Sequence, residues 1–188
     1  MMAVSAKTLP VGADWTYEVK WDGYRAQAIK DGRSVSLASR NLKNITRQYP
    51  AIAAAASGVD ASAALLDGEI VVEDTTGHAS FPALQADLSA GRTDRLRYFL
   101  FDILYCEGFD LTGCSLGDRK ALLGQILQRS ASESLHYSEH LDADGPTVFE
   151  HACRLGLEGI VSKRVESRYK SGRCLSWVKV KNPGYERA

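Results

Sequence analysis

Runs of hydrophobic residues, some alternating with polar ones and some continuous, predict about seven β-strands along the chain. The segment from Trp15 to Trp21 is rich in β-branched and aromatic residues, as strands are. The continuous apolar run from Leu96 to Tyr105 favours a buried strand over a helix. Asp31 and Gly32 stand between two strand-like runs, which is a strong hairpin signal. In chain order the predicted strands are WTYEVKW, YRAQAIK, SVSLASR, ALLDGEIVVED, LRYFLFDILY, GIVSKRV and SWVKVK.

Four short helices are predicted between these strands. They are a helix from Pro50, the segment SFPALQADL, Ser115 to about Gln128, and Pro146 to Gly156. Asp118, three residues after Ser115, completes a weak capping box. The irregular alternation of elements and the early hairpins favour an α+β fold with mainly antiparallel sheets over a doubly wound α/β sheet. No G-x-G-x-x-G follows a strand and no G-x-x-x-x-G-K-[ST] occurs, so Rossmann and P-loop nucleotide sites are unsupported.

The composition predicts one ordinary soluble domain. The chain has 188 residues and is therefore long enough to bury a single large core. Hydrophobic residues make up 45% of it and charged residues 24%, as in ordinary globular proteins. No apolar stretch reaches membrane-spanning length and the N-terminus lacks a signal-peptide pattern, so we expect a cytoplasmic protein. The four cysteines contain no C-x-x-C pair, which disfavours a zinc ribbon or a thioredoxin-type site. Basic and acidic residues number 23 each, and a net charge of zero argues at first against a nucleic-acid partner.

Charged residues interrupt several of the apolar strands, which is costly unless they are paired or functional. The densest cluster, EVKWDGYR, places Glu18, Lys20 and Asp22 on one strand face. A surface salt-bridge ladder would explain any one of these residues alone. Further interruptions occur at Asp67, Glu69, Asp102, Glu158, Lys163, Lys179 and Lys181. A lysine nucleophile, carboxylates for a divalent metal and cations that hold phosphates are the groups that nucleotidyl transfer requires.

Six segments, in order, resemble the motifs of the covalent nucleotidyltransferases, the superfamily of DNA ligases, RNA ligases and mRNA-capping enzymes. The first, KWDGYR from Lys20, resembles the K-x-D-G-x-R motif. The others are LASRN from Leu37, LDGE from Leu66, FLFD from Phe99, EGIVSK from Glu158 and WVKVK from Trp177. The sequence is most similar to the ATP-dependent ligase domain of bacterial end-joining ligases, the ligase D type. The resemblance implies an α+β covalent nucleotidyltransferase (ATP-grasp-like) fold, with residues 1–188 forming a single adenylation domain of an ATP-dependent DNA ligase.

The resemblance also implies a role for each matching residue. Lys20 would attack the α-phosphate of ATP and carry AMP. Glu18 and the backbone at Val19 would read the adenine amino group, and Phe101 would stack on the base, although composition alone would place Phe101 in the core. The remaining roles are Arg25 and Glu69 at the ribose, Arg40 near the nucleotide or the DNA strand, Glu69 and Glu158 near Mg²⁺ or Mn²⁺, and Lys163, Lys179 and Lys181 on phosphates. Asp22, Asp67 and Asp102 are as well suited to brace loops as to touch ligand.

The same motifs also fit other functions, and the length of the chain on either side of them bears on which domains we expect. RNA ligation, or guanylyl transfer as in mRNA capping, would differ in nucleic acid or base preference. A non-catalytic module that binds DNA ends is the alternative from another class. The chain ends seven residues after Lys181, where the superfamily continues into an OB-fold domain, so we expect that domain to be absent and complete ligation to be in doubt. Only 19 residues precede Lys20, which leaves no room for the domain that NAD-dependent ligases use, so ATP is the expected donor.

A second candidate site is weaker. His136 and His140 stand four residues apart, as a metal-binding pair on a helix would. They lack a third ligand at zinc spacing and lie in a short strand-like segment, so a solvated pair is favoured.

The zero net charge hides a segregation of charge along the chain. Residues 163–188 contain eight basic and two acidic residues, a net charge of +6, so the other residues sum to −6. A second stretch, from Lys20 to Arg47, has seven basic residues against Asp22 and Asp31. Both stretches hold motif residues, so we expect a local basic cleft for nicked or broken double-stranded DNA. We further expect a monomer without membrane contact, and end-joining proteins such as Ku or a repair polymerase as candidate partners.

Overall fold

A computed structural model describes residues 1–130, 132–141 and 143–186; Arg187, counted above in the basic C-terminal stretch, lies outside the described residues. The strands are β1 Met2–Ser5, β2 Trp15–Val19, β3 Tyr24–Asp31, β4 Ser34–Ser39, β5 Ala63–Val72, β6 Leu96–Cys106, β7 Phe109–Asp110, β8 Leu135–Tyr137, β9 His140–Leu141, β10 Gly159–Arg164 and β11 Arg173–Lys181. The helices are α1 Pro50–Ser57, α2 Phe81–Ser89, α3 Leu116–Gln128 and α4 Gly145–Arg154. No helix in the described part of the chain is both long and apolar enough to cross a membrane.

The predicted α+β fold class and its four helices are confirmed. The capping signal before α3 is present, because the Ser115 hydroxyl accepts a hydrogen bond of 3.1 Å from the Asp118 backbone N–H. The Asp31–Gly32 hairpin joins β3 to β4, and Gly32 has a φ of 56°, which suits glycine in a tight turn. The unpredicted strands are β1 and the short β7, while β8 and β9 both lie in the segment around His136 and His140 that the sequence describes as strand-like.

The described chain divides into two compact units that interleave along the sequence. The first unit contains residues 1–21, 112–118 and 138–186, and the second contains residues 22–111 and 119–137. The single adenylation domain over residues 1–188 stays a prediction.

The first unit is built on a five-stranded sheet in the order β1-β11-β10-β2-β9. β1 runs parallel to β11, and the other neighbours are antiparallel. A small core forms where α4 packs on the sheet, through Tyr17, Val148, Ala152 and Ile160. Because β2 and β10 are neighbours, this sheet aligns the EVK segment with the EGIVSK segment.

The second unit is built on the antiparallel sheet β4-β3-β5-β6-β7, with β8 added parallel to β6. One face carries the main hydrophobic core, in which Leu66, Ile70 and Leu100 are fully buried. The Tyr98 hydroxyl donates a 2.7 Å hydrogen bond to the Ala26 carbonyl oxygen across this core. Burial, helped by the nearby Asp67 carboxylate, raises the pKa of Tyr98 well above its ordinary value, so this donor keeps its proton at neutral pH.

A fully buried ion pair joins Arg119 of α3 to Asp102 of β6 in the second unit. The Arg119 guanidinium donates to both oxygens of Asp102, at 2.7 and 3.0 Å, and neither side chain is exposed to solvent. Asp102 also accepts a 3.0 Å hydrogen bond from the Ile103 backbone N–H. The carboxylate that interrupts the apolar strand YFLFDILY is therefore paired, which is the condition under which a buried charge is tolerated.

A second buried carboxylate anchors the loop after α2. Asp87 is almost completely buried, and its oxygens accept hydrogen bonds of 2.9 Å from Arg92 Nε and 2.8 Å from Arg95 Nε. These hydrogen bonds lower the pKa of Asp87 below its ordinary value, and the bond from Arg95 has the largest effect. A carboxyl group whose folded pKa is depressed stabilises the fold above its unfolded pKa and loses this effect as the pH falls through its folded pKa.

We therefore expect the cost of Asp87→Asn to depend on pH. At pH 7 the variant should have a lower free energy of unfolding than the wild type, and this difference should shrink as the pH falls below about 4, where free aspartate titrates. Urea denaturation at pH 7, 5 and 3.5 measures it. Asp60→Asn, which removes an exposed carboxylate 3.7 Å from Arg129, is the control and should stay within about 0.5 kcal/mol at every pH. A constant difference for Asp87→Asn across this range would contradict the assignment.

Candidate active site

Lys20 lies directly after β2, where a buried carboxylate holds its amine. The Lys20 backbone N–H donates a 2.9 Å hydrogen bond to the Gly159 carbonyl oxygen, and its Nζ pairs with Oε2 of Glu158. The other oxygen of Glu158, Oε1, lies 3.3 Å from Nζ of Lys181. Glu158 is only 6% exposed. One carboxylate thus holds two ammonium groups, and three residues from three different sequence motifs meet at one point.

Gly159 makes this meeting possible. It has a φ of 146°, and a Cβ at this position would overlap the Val180 carbonyl oxygen and crowd the Lys181 Cα atom. The glycine of the EGIVSK segment therefore allows β10 to pack against the end of β11. The Asn182 backbone N–H also donates 2.9 Å to the Glu158 carbonyl oxygen, which fixes the residue whose carboxylate bridges the two lysines.

A second ion pair in the first unit joins Glu18 to Lys163. Their Oε2 and Nζ atoms are 2.7 Å apart, and the side chains are 2% and 3% exposed. Lys163 Nζ also lies 4.2 Å from the centre of the Trp177 ring. Ser138 Oγ donates a 3.3 Å hydrogen bond to the same Glu18 oxygen. The arrangement sets a hydrogen-bond acceptor and a cationic donor side by side in a fixed position.

Strand pairing aligns the remaining site residues of the first unit. Val19 is opposite Ile160 in the pairing of β2 with β10. Lys179 is opposite Val161 in the pairing of β10 with β11, and it is half-buried. The sequence placed Val19, Lys163 and Lys179 on strands, and these three strands are neighbours.

The second unit groups Arg25, Asp67 and Phe101. Arg25 donates to both oxygens of Asp67, with Nε at 2.9 Å and a terminal nitrogen at 2.6 Å. The guanidinium carbon lies 5.3 Å from the centre of the Phe101 ring, within cation–π range. Glu69 is opposite Arg25 in the β3–β5 register. Asp67 therefore holds the Arg25 guanidinium in place, which agrees with the expectation that this aspartate has a supporting role.

Arg40 lies beyond the end of β4. The preceding residue, Ser39, is opposite Ala26 of β3, so Arg40 follows β4 at the end of the sheet where Arg25 lies. Arg40 is exposed. This position suits contact with a large ligand better than a buried role.

A metal ion would have to be held mainly by its substrate. Among residues 1–130, 132–141 and 143–186, no group of three or more His, Cys, Asp or Glu side chains could form a metal cage. Mg²⁺ usually binds one or two carboxylates together with phosphate oxygens and water. Glu158 in the first unit and Glu69 in the second are each a hard oxygen donor of this kind, so the residues present fit such an ion.

The sequence does not predict some of the contacts in these clusters. Ser138 stands between His136 and His140 and was not predicted to touch Glu18. For Trp177 the sequence predicts only a place in the WVKVK motif, yet the centre of its ring lies 4.2 Å from Nζ of Lys163. Arg119 had no motif at all. Their contacts join residues 14 to 120 positions apart in sequence, which a local pattern cannot reveal.

Comparison with known proteins agrees with the motif order. A family model described as "ATP dependent DNA ligase domain" matches residues 1–181. The chain is 39% identical over 173 residues to the multifunctional non-homologous end joining protein LigD of Pseudomonas aeruginosa, covering 92% of this chain and 20% of that protein. It is 39% identical over 171 residues to the corresponding LigD of Mycobacterium tuberculosis, covering 90% of this chain and 22% of that protein. The chain thus spans about a fifth of the length of these curated relatives.

Solved structures give the same relationship. The fold matches a mycobacterial DNA ligase D complexed with ATP and MES at a TM-score of 0.79 and 34% identity, covering 95% of this chain and 60% of that one. It matches the ligase domain of M. tuberculosis LigD at a TM-score of 0.79 and 36% identity, covering 95% of this chain and 59% of that one. The predicted nucleotidyltransferase fold is therefore confirmed, and the chain belongs to the ATP-dependent DNA ligase domain family, as an adenylation domain of the LigD type.

Proposed function

We propose that this chain transfers AMP from ATP to Lys20 and then to the 5′-phosphate of a DNA nick, which the adjoining 3′-hydroxyl seals. The observation that carries the proposal is the meeting of Lys20, Glu158 and Lys181 at one point of the first unit. An amine nucleophile, a carboxylate that can accept its proton and a second ammonium group are the components of an attack on a phosphate.

In the first step the Lys20 ammonium loses a proton, and Glu158 is in contact with it as the acceptor. A P–N bond then forms between Nζ and the α-phosphorus of ATP, and the bond from that phosphorus to the bridging oxygen breaks. Pyrophosphate leaves with the electron pair of the broken bond. Lys181 is largely exposed, so its amine can follow the negative charge on the phosphates while its stem remains on β11.

We further propose that Glu18 and Lys163 select adenine. Adenine presents the 6-amino donor beside the N1 acceptor, which matches a carboxylate beside an ammonium group. Guanine presents the O6 acceptor beside the N1–H donor, so each group would face one of its own kind. This differs from the phosphate contact that the resemblance implies for Lys163, because its amine lies 2.7 Å from Glu18 and is almost wholly buried.

The second unit would hold the sugar side of the nucleotide. Arg25, braced by Asp67, and Glu69 on the neighbouring strand are proposed to contact the ribose, with Phe101 stacked on the base. Arg40 is proposed to contact nucleotide or DNA phosphate, and Lys179 to hold a nucleotide phosphate. Glu158 in the first unit and Glu69 in the second are each proposed to approach Mg²⁺ or Mn²⁺, which would neutralise negative charge on the phosphates.

DNA is the proposed acceptor of AMP. An oxygen of the 5′-phosphate bonds to the phosphorus of AMP as the P–N bond to Lys20 breaks, and the freed amine takes up a proton. The 3′-hydroxyl then attacks the 5′-phosphorus and loses its proton to solvent, and AMP leaves with the electron pair of the broken P–O bond. Support comes from family membership and from the two basic stretches of the sequence. The names of the LigD relatives place those proteins in non-homologous end joining, which supports a role in joining DNA breaks with Ku or a repair polymerase as partners. A cytoplasmic location and a monomeric state stay predictions.

Incubation with magnesium and α-labelled ATP or GTP tests both donor and base. We expect covalent labelling by ATP at least about 100-fold more efficient than labelling by GTP, since two misplaced polar contacts each cost about 1–3 kcal/mol. Glu18→Gln should reduce the preference for ATP over GTP about tenfold, because the glutamine amide can also donate a hydrogen bond to the guanine O6 acceptor. Ser138→Ala keeps both charges and should narrow it less, in the same direction.

Glu150→Gln alters an exposed ion pair with Arg154 and serves as the control, with no change in preference. Variants are compared only where they keep a cooperative thermal transition. Stronger labelling by GTP would favour a capping-type guanylyltransferase. Binding of nicked duplex without any adenylate would favour a non-catalytic DNA-end module.

A further inference from the structure

A loop after β4 presents an exposed leucine in a conformation that leucine rarely adopts. We define the Leu42 loop as residues 40–44. Leu42 has a φ of 58°, in the left-handed region, and 78% of its surface is exposed. The left-handed backbone conformation costs a non-glycine residue about 1–2 kcal/mol of free energy. Exposure of the leucine side chain to water provides no compensating stabilisation. Such a conformation persists where surrounding contacts impose it, and it is a reason to look for function.

Hydrogen bonds impose the conformation of the Leu42 loop. The Leu42 N–H donates 2.8 Å to the Ser39 carbonyl oxygen, and the Ser39 N–H donates 2.9 Å to the Lys43 carbonyl oxygen. The Lys43 N–H also donates 3.2 Å to Ser39 Oγ. A bridge between Ala38 and Asn44 closes the base of the loop. The leucine side chain is thus displayed from a closed turn rather than from a loose segment.

The sequence around this leucine is basic and contains no acidic residue. Residues 32–59 contain Arg33, Arg40, Lys43 and Arg47 and no Asp or Glu. All four are exposed. Within the described part of the chain, neither Lys43 nor Arg47 makes an ion pair. An apolar tip beside Lys43 and Arg47 fits a ligand that is a polyanion outside and apolar within.

We infer that the Leu42 loop is a wedge that enters the minor groove of duplex DNA at a nick, with Leu42 between neighbouring bases and Lys43 and Arg47 on the flanking phosphates. The inference rests on the proposed function for its choice of a nick. Leucine is one of the side chains that proteins insert between base steps, and the backbone cut makes the step at a nick cheaper to unstack. An anionic membrane offers similar chemistry, but one leucine on a loop supplies too little buried apolar area to anchor a protein.

The inference assigns different effects to the leucine and to the cations. Leu42→Gly suits the left-handed backbone, so it removes the side chain without breaking the turn. We expect it to weaken binding to nicked duplex about tenfold, the lower range for burial of a leucine, with no change in the dependence of affinity on salt. Lys43→Ala and Arg47→Ala should each reduce the slope of log affinity against log salt concentration by about 1.

The experiment uses the full 188-residue chain and a nicked duplex with 2-aminopurine beside the nick. Anisotropy at several salt concentrations gives affinity, and 2-aminopurine fluorescence reports unstacking. Wild type should raise this fluorescence at saturation and Leu42→Gly should not. Leu175→Ala is the matched control, since Leu175 on β11 is also 78% exposed but has no positive φ, and it should behave as wild type.

Self-adenylation of the wild type in the absence of DNA is measured in parallel, so the two proposals fail separately. Equal binding and equal fluorescence for Leu42→Gly and wild type would overturn the wedge, whatever the labelling result. The wedge would also be overturned if the wild type did not bind nicked duplex at 50 mM salt. Binding to anionic vesicles is measured as well, and the wedge would be overturned if Leu42→Gly lost binding to vesicles but kept binding to DNA. Failure of wild type to label, with the wedge effects present, would reject only the adenylation proposal.

Discussion

Lys20→Ala is expected to lower covalent AMP labelling by at least about a thousandfold, to background. The substitution removes the atom that is proposed to form the P–N bond. Lys20→Arg should fail similarly, because a guanidinium stays protonated and is not a nucleophile. The measurement is the initial rate of protein labelling by α-labelled ATP with magnesium, separated on a denaturing gel.

The fold should survive this change. Glu158 keeps Lys181 as a partner when Lys20 is truncated, so the buried carboxylate is not left alone. The thermal midpoint of Lys20→Ala should therefore stay within a few degrees of wild type. Lys7→Ala, at an exposed lysine of the same unit, is the matched control and should label fully. Labelling of Lys20→Ala at the wild-type rate would refute the assignment of the nucleophile.

Arg119→Met is expected to cause the largest loss of stability among single substitutions in the second unit. It leaves the Asp102 carboxylate fully buried without its bidentate partner, a situation that costs about 3–5 kcal/mol. For a chain of this length, each kcal/mol corresponds to about 2–4 °C in the thermal midpoint. Urea denaturation gives the free energy of unfolding directly.

A double-mutant cycle separates the ion pair from general packing. Arg119→Met combined with Asp102→Leu replaces both charges by apolar groups and should recover much of the loss. Arg154→Met breaks an exposed pair with Glu150 and should change stability by no more than about 0.5 kcal/mol. Additive losses in the double variant would show that the charges do not stabilise each other.

Local signals in the sequence predicted the regular elements well. The Asp31–Gly32 turn and the Ser115 cap each act within a few residues, so they can be recognised without knowledge of the fold. The short strand β7 could not be predicted, because two residues carry no periodicity and pair only when a longer strand is present. For the same reason the strand-like segment around His136 and His140 gave no sign that it divides into two strands, β8 and β9.

His136 and His140 illustrate the same limit. The sequence favoured a solvated pair, and this is wrong for His136, which is half-buried in β8 and stacks on Phe99 with ring centres 4.9 Å apart. His140 is exposed in β9, which belongs to the other sheet. A spacing of four residues indicates proximity only within a helix, and here the chain crosses between two sheets.

The candidate site divides in a similar way. The motif order predicts which charged residues belong to the site, but it does not predict which of them contact one another. Lys163 was expected on a phosphate, whereas the register of β2 with β10 sets it beside Glu18, 145 residues away. Asp67 and Arg25 were each noted as polar residues in strands, and only the pairing of β3 with β5 makes them partners. Strand register is a long-range property, so it requires the fold.

Peptide mass mapping of the purified chain tests the central claim most directly. After incubation with ATP and magnesium, the intact mass should rise by one AMP, the added mass should lie on the peptide containing Lys20, and excess pyrophosphate should remove it. An adduct on another residue, or no adduct under conditions where the protein is folded, would contradict the account.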